Sequence, residues 1–270
     1  MKKVYGSKVL ITGAGKGVGK ACAILFAKNG YEVVGVSRTV AQGVKHYPGG
    51  GVLTLRHMDV TDEESIQHIA EEYGPFDVLI LSAGFGVAGA CEEIPIELAQ
   101  KQMDVNYFGV MRTVQAFLPD MRAKGSGLIL GISSVAGRVS IPMQSQYSAS
   151  KYAMEAYFDA LRIETREYGI RVSLIEPGDM HTGFTGAREL YIKEDSDYAQ
   201  TVLESVSRME KDELGGVHPK IVADAALKLA ARKNPPARVQ TGVNNKLATF
   251  AIKHFPDRTV EKVITKLYMP

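Results

Sequence analysis

Residues 9–19 read V-L-I-T-G-A-G-K-G-V-G. The apolar run from Val9 to Thr12 stops at Gly13, and glycine returns at 15, 17 and 19. Such a run closed by glycine predicts a buried strand feeding a tight turn. From Gly17 to Asn29, the residues Val18, Ala21, Cys22, Leu25 and Phe26 form a helical stripe, with Gly30 placed to cap it. Glycine lets a backbone approach a pyrophosphate closely, and a helix N-terminus offers free N–H groups and a positive dipole end. Thr12, Gly13, Gly15, Lys16, Gly17, Val18 and Gly19 are therefore candidate nucleotide contacts. The register is T-G-x-x-x-G-x-G. A P-loop is excluded, because Ala14 stands five places before Gly19 and Ala21 follows Lys20 where Ser or Thr is required.

Outward from this turn, strands and helices alternate. Strands are predicted at Glu32–Ser37, Val52–Met58, Phe76–Leu81, Leu128–Ile132, Arg171–Ile175 and Arg238–Val243. Helices are predicted from a capping box at Thr61 to about Tyr73, over Leu98–Arg122 with a disturbance near Pro119, over Gln146–Tyr168 and over Ile221–Arg232. This rhythm predicts an α/β fold, a doubly wound parallel sheet with helices on both faces, in a single domain spanning 1–270. Two segments break it. Residues 183–219 mix charge with scattered apolar residues and read as a substrate lid, and 246–270 reads as a helical C-terminal tail.

The chain has 270 residues, 45% hydrophobic content and a net charge of +2, with its basic residues scattered singly. That composition supports a large core and gives no electrostatic case for nucleic acid. Cys22 and Cys91 have no partner at metal spacing, so no metal site is expected and free thiols are. No apolar run reaches membrane-spanning length, and the basic residues of the tail are few and interrupted by acids. The chain is expected to be soluble and cytoplasmic, with membrane association disfavoured.

A dinucleotide site has an acidic residue about 20 positions past the glycine turn for the adenosine ribose. Ser37-Arg38-Thr39 stands there instead. A guanidinium suits a 2′-phosphate, so Arg38, aided by Lys16, predicts NADP(H) over NAD(H). Further on, Ser133 to Lys151 reads S-S-V-A-G-R-V-S-I-P-M-Q-S-Q-Y-S-A-S-K. On a helix Tyr147 and Lys151 stand at i and i+4, a phenol beside an ammonium and a candidate general acid/base. Alone, a Tyr-x-x-x-Lys carries the false-positive risk of any short motif.

Together the glycine turn, Asp59-Val60, Ser82-Ala83-Gly84, Asn106, Ser133-Ser134, Tyr147-Ser-Ala-Ser-Lys151 and Pro177-Gly178 with Thr182 resemble the short-chain dehydrogenase/reductase family over about residues 8–182. The resemblance implies a Rossmann arrangement. It also implies a set of roles. The active serine of that family lies 13 positions before the tyrosine, which selects Ser134 over Ser133. Tyr147 would exchange a proton with the carbonyl oxygen, and Ser134 would hydrogen-bond the same oxygen. Lys151 would lower the phenol pKa and hold the nicotinamide ribose, and Asn106 would anchor a water on a proton path to Lys151. Asp59 and Val60 would face adenine, and Thr182 the carboxamide. The remaining nucleotide contacts implied are Ser82, Ala83, Gly84, Tyr147 itself, Pro177 and Gly178. One departure is Ser82, where the family carries Asn, so that side chain's hydrogen bonds are lost or replaced.

Phe85, Ile141 and Met143 predict an apolar pocket wall, suited to a lipophilic carbonyl or secondary alcohol. The wording of residues 112–123 and 133–182 is similar to the branch that holds estradiol 17-beta-dehydrogenase and retinol dehydrogenases, which implies a steroid-, retinoid- or other lipid-like substrate. A homodimer or homotetramer is the expectation the family brings. A competing reading is a non-catalytic NADP(H)-binding regulator; regulators of that kind usually lose the tyrosine or lysine, and this chain keeps both.

Overall fold

The computed structural model describes residues 2–181, 188–242 and 255–269. Apolar alternation places the core. In β1 (Lys8–Thr12), Val9 and Ile11 join one buried cluster and Leu10 another, because successive side chains of a strand face opposite sides of its sheet. The first cluster takes its helical partners from α1 (Gly17–Lys28) and α7 (Lys220–Ala230). The second takes them from α2 (Glu63–Tyr73), α4 (Gly109–Lys124) and α5 (Ser145–Glu164). The strands involved are β2 (Glu32–Val36), β3 (Gly43–His46), β4 (Val52–Arg56), β5 (Val78–Leu81), β7 (Gly127–Ile132), β8 (Ile170–Pro177) and β10 (Arg238–Thr241). They pair with β1 in the order β10-β8-β7-β5-β1-β2-β4-β3, parallel throughout except at β3. The doubly wound parallel sheet is therefore present, with an added edge. All four residues of β3 are exposed, so no burial pattern marks that strand in the sequence.

The helix boundaries hold three corrections. The N-cap of α2 is Asp62, whose carboxylate accepts from the N–H groups of Glu64 and Ser65 at 3.0 and 3.3 Å. Thr61 instead donates its hydroxyl to Asp59 at 2.8 Å. The helix before β7 begins earlier, as α3 (Ile96–Met103), and is interrupted at Asp104–Phe108 by a π-helical turn rather than at Pro119, which sits inside α4. α5 ends at Glu164, and a 3-10 turn at Arg166–Tyr168 carries the chain to Gly169.

After β8 the chain returns over the carboxyl ends of the strands. There β9 (Glu189–Leu190) pairs in parallel with β6 (Val87–Ala88), and α6 (Ala199–Leu214) sets Val202 and Val206 against Ala88 and Ala90. The final helix, α8 (Asp257–Tyr268), packs on α6. Thus the described part of 183–219 lies above the sheet's carboxyl edge, while residues 182–187 and the first part of the tail, 246–254, lie outside the described residues. Among the described residues no helix is long and apolar enough to cross a membrane.

Candidate active site

The order of the sheet reverses its winding between β1 and β5, and open α/β sheets form their ligand crevice at such a point, beyond the carboxyl strand ends. A cavity of about 780 Å³ lies there. Its walls include Gly13, Lys16, Gly17 and Val18 from the glycine turn and Arg38 from beyond β2. Val60, Ser82, Ala83, Gly84 and Phe85 follow, then Ser134, Ile141, Tyr147, Lys151, Pro177 and Gly178.

At the glycine turn, Gly13 has φ +69°, and a Cβ there would stand 2.9 Å from the carbonyl of Ser82. Gly19 packs so closely that its Cβ would meet the Gly13 carbonyl at 2.3 Å. Lys16 is the N-cap of α1 and gives no side-chain cap, and the first turn of α1 holds no acid. Its N–H groups thus open toward a cavity wall carrying two cations, Lys16 and Arg38. This end fits the pyrophosphate of a dinucleotide.

Other proposed contacts brace this wall instead. Thr12 accepts from the N–H groups of Ser82 and Ala83 at 3.0 and 3.1 Å, which ties the loop after β5 to β1 where Ser82 replaces the family's Asn. Asp59 uses its carboxylate on the N–H and hydroxyl of Thr61. Thr12, Gly15, Gly19 and Asp59 are therefore not cavity-lining residues, and Thr182 lies outside the described residues.

The tyrosine end is built on α5. Tyr147 shares a hydrogen bond with Ser134, whose Oγ also accepts from the N–H of Ala136 at 3.1 Å. The spacing choice between the serines agrees with this placement, since Ser133 is buried and does not pair with the phenol. Burial pushes the Tyr147 phenol up to about 12, opposed by the Ser134 hydrogen bond, reinforced by Glu213 and opposed by Arg188. Lys151, one turn on, is buried and donates to the carbonyl of Ile132 at 2.9 Å. Burial lowers its pKa to about 8, with Glu155 pulling the other way.

Asn106 sits in the π-helical turn, buried. Its amide closes both backbone groups of Phe85, accepting from N–H and donating to C=O, each at 3.0 Å. It also donates to Ser150 at 3.0 Å, and the Ser150 hydroxyl donates to the Tyr147 carbonyl at 2.7 Å. The extra residue of the π turn thus aims Asn106 between the loop after β5 and α5, and both its amide protons are used there.

Phe85 and Ile141 line the cavity; Met143 does not. Met143 has φ +58°, and its side chain packs instead on the small cluster of Ala88, Ala90, Val202 and Val206. The spacing that recommended it says nothing of this left-handed turn, which redirects the side chain.

A polar group at the same cavity escaped the sequence reading. Asp179, Asp212, Glu213, Gln144 and Tyr268 line it, and Arg188 pairs with Glu213. With the Gln144 amide assigned so that its oxygen faces Arg188, it accepts from Nε and Nη2 at 3.0 and 3.2 Å. One signal was readable. The buried stripe of α6 runs through Val202, Ser205, Val206 and Met209, and Asp212 and Glu213 continue it at i+3 and i+4, where a core face would carry apolar residues.

Residues 7–191 match the family model for short chain dehydrogenases. Among curated proteins, a 3-ketodihydrosphingosine reductase of Bacteroides thetaiotaomicron is 40% identical over 240 residues, covering 87% of each chain. Human retinol dehydrogenase 8 is 31% identical, with 87% of this chain and 81% of that protein covered. Among solved structures, a short-chain dehydrogenase from Streptomyces avermitilis aligns with a TM-score of 0.79 at 27% identity, over 97% of this chain and 96% of that one. Two others share the fold at lower identity. A Burkholderia phymatum protein in complex with NAD has a TM-score of 0.77 at 23% identity over 94% of this chain and 96% of its own. A Burkholderia cenocepacia protein in complex with NADP has 0.76 at 22% over the whole of both.

Proposed function

The chain belongs to the short-chain dehydrogenase/reductase family and is an oxidoreductase of CH–OH and C=O groups; on that premise we propose that it is an NADP(H)-dependent reductase of a lipophilic ketone. The carrying observation is that Tyr147, Ser134 and Lys151 converge on a cavity whose walls also include the glycine turn and an apolar surface. Lys16, Arg38 and the absence of an acid at residues 37–39 support NADP(H) over NAD(H). When bound, the cofactor supplies the hydride.

The chain's own residues supply the rest. The Tyr147 phenol keeps its proton across the neutral range, so the site is built to give a proton to a carbonyl oxygen, with Ser134 donating to the same atom. That poise supports the reductive direction. Lys151, with its Nζ 5.7 Å from the centre of the Tyr147 ring, is placed to hold a ribose, while the cation that opposes the rise of the phenol is Arg188 rather than Lys151. The apolar wall, with Val139, Ile141, Met209, Ile264 and Leu267, supports an extended aliphatic substrate, as does the name of the Bacteroides relative. Exposed Phe108, Tyr152 and Ile163, large apolar side chains on the π turn and α5, support a homo-oligomer.

The test is NADPH oxidation with a panel of long-chain aliphatic, steroid and retinoid carbonyls. Turnover of a long-chain ketone is expected. Tight NADPH binding with no turnover of any carbonyl would favour the non-catalytic regulator. In the same assay Arg38→Asp should move the NADPH/NADH preference at least about tenfold toward NADH, the effect of losing a charge-assisted bond to a phosphate. An unchanged preference removes Arg38 from the cofactor site.

A further inference from the structure

We propose that Arg188 is a positioning residue for the proton transfer, buried between Glu213 and Gln144 so that it fixes the first turn of α5 and balances the Glu213 carboxylate beside Tyr147. The assignment deepens the reading of Tyr147 as the proton-exchanging group and rests on it.

The placement comes first. Arg188 directly precedes β9, its side chain is 2% exposed, and it does not line the cavity, so it acts on the site through its neighbours. Its Nη2 donates to Glu213, near the end of α6. Nε and Nη2 also donate to the Gln144 amide oxygen at 3.0 and 3.2 Å. Gln144 is the buried N-cap of α5 and makes no side-chain cap of its own, while its carbonyl accepts the N–H of Ser148 at 2.9 Å. One guanidinium thus ties the returning chain to the turn of α5 that carries Tyr147.

Stability alone does not account for a charged pair here. The Glu213 side chain is 14% exposed, and taking two charges out of water offsets most of what their attraction returns, so well-packed apolar residues often replace such a pair at no cost. The same stripe of α6 already carries Val202, Val206 and Met209, and an apolar pairing would suit it. Charge at this point acts on the phenol. Burial, the largest influence, raises Tyr147 to about 12; the Ser134 hydrogen bond lowers it, Glu213 raises it and Arg188 lowers it. Two groups in one contact therefore pull Tyr147 in opposite directions.

Other polar groups share the cavity with the phenol. They are Ser134 from the turn after β7, Lys151 of α5, Asp179 after β8, Asp212 of α6 and Tyr268 of α8. Each is common to the proteins compared below, so its influence cancels when they are compared at one pH.

The experiment measures kcat for oxidation of a long-chain secondary alcohol, dodecan-2-ol, by NADP+ at about pH 8, where Tyr147 must be ionised to take the alcohol's proton. Glu213→Gln keeps the size of the side chain and an oxygen for Arg188, and should raise kcat at least about threefold. Arg188→Met should lower it at least about threefold, the scale of one partly screened charge near the phenol. A purely structural pair predicts the same loss in both variants, since both break one contact, and no loss of structure produces a gain. Glu213→Gln is therefore decisive even where Arg188→Met fails to fold. A loss in both, an unchanged kcat in Glu213→Gln, or a change confined to KM overturns the assignment, the last because it makes Glu213 a substrate contact only. Two further results are of another kind: a wild type that oxidises neither dodecan-2-ol nor a steroid or retinoid alcohol, and a Tyr147→Phe protein that keeps its rate. Either overturns the reading of Tyr147, and this assignment with it.

Discussion

Tyr147 and Lys151 hold opposite displacements for one reason. Burial disfavours the charged form of each, so the phenol rises to about 12 and the ammonium falls to about 8. The lysine's shift from 10.5 amounts to roughly 3 kcal/mol of lost stability at neutral pH. Below pH 8 both folded and unfolded chains carry the proton, and the full cost applies. Between about 8 and 10.5 the unfolded chain holds a proton that the folded one has released, so wild-type stability rises with pH and the cost disappears above that window. Lys151→Met should therefore abolish turnover yet stabilise the fold by about 2 kcal/mol at pH 7, after loss of the Ile132 hydrogen bond. Chemical denaturation of both proteins at pH 7 and pH 10 checks this: the gain should shrink at the higher pH, and a variant less stable at pH 7 contradicts it.

At the scale of the element, α5 is the organising piece. Tyr147, Lys151, Glu155 and Asp159 recur every fourth residue along it, so catalytic and anchoring groups share one stripe. Arg238 of β10 clamps the far half, with Nε on Glu155 at 2.8 Å and Nη2 on Asp159 at 2.6 Å, and stands 3.3 Å from Glu176. Glu155 and Glu176 are buried, so Arg238→Met strands two carboxylates and should cost about 3 kcal/mol, read as a Tm several degrees lower. A Tm within a degree of wild type would contradict the clamp. The central elements were legible because each buries a regular pattern, as Val9, Leu10 and Ile11 or the α1 stripe show. What was not legible has local causes. β3 is wholly exposed, and β6 and β9 are two residues each, too short for any periodicity. The π turn is one inserted residue inside an unbroken helical pattern, and Asp62 and Thr61 are equally good caps until the carboxylate of Asp59 takes the threonine.

For the whole molecule, the sheet's reversal at β1/β5 sets one cavity between the glycine turn and the returning chain. The site's order in sequence, from Gly13 through Tyr147 to Tyr268, is long-range, and its first two thirds were readable from motif and resemblance. The charged cluster was not, since Asp179, Arg188 and Glu213 meet only when β8, β9 and α6 converge. The central claim is that Tyr147 gives the proton on which reduction depends, in a cavity whose other walls, the glycine turn, Arg38 and Lys151, carry most of the cofactor contacts. Tyr147→Phe tests it most directly, by NADPH titration and steady-state turnover of a long-chain ketone on the same preparation. NADPH affinity within about threefold of wild type and a kcat lower by at least about a hundredfold are expected. A phenylalanine variant that keeps near-normal kcat contradicts the account.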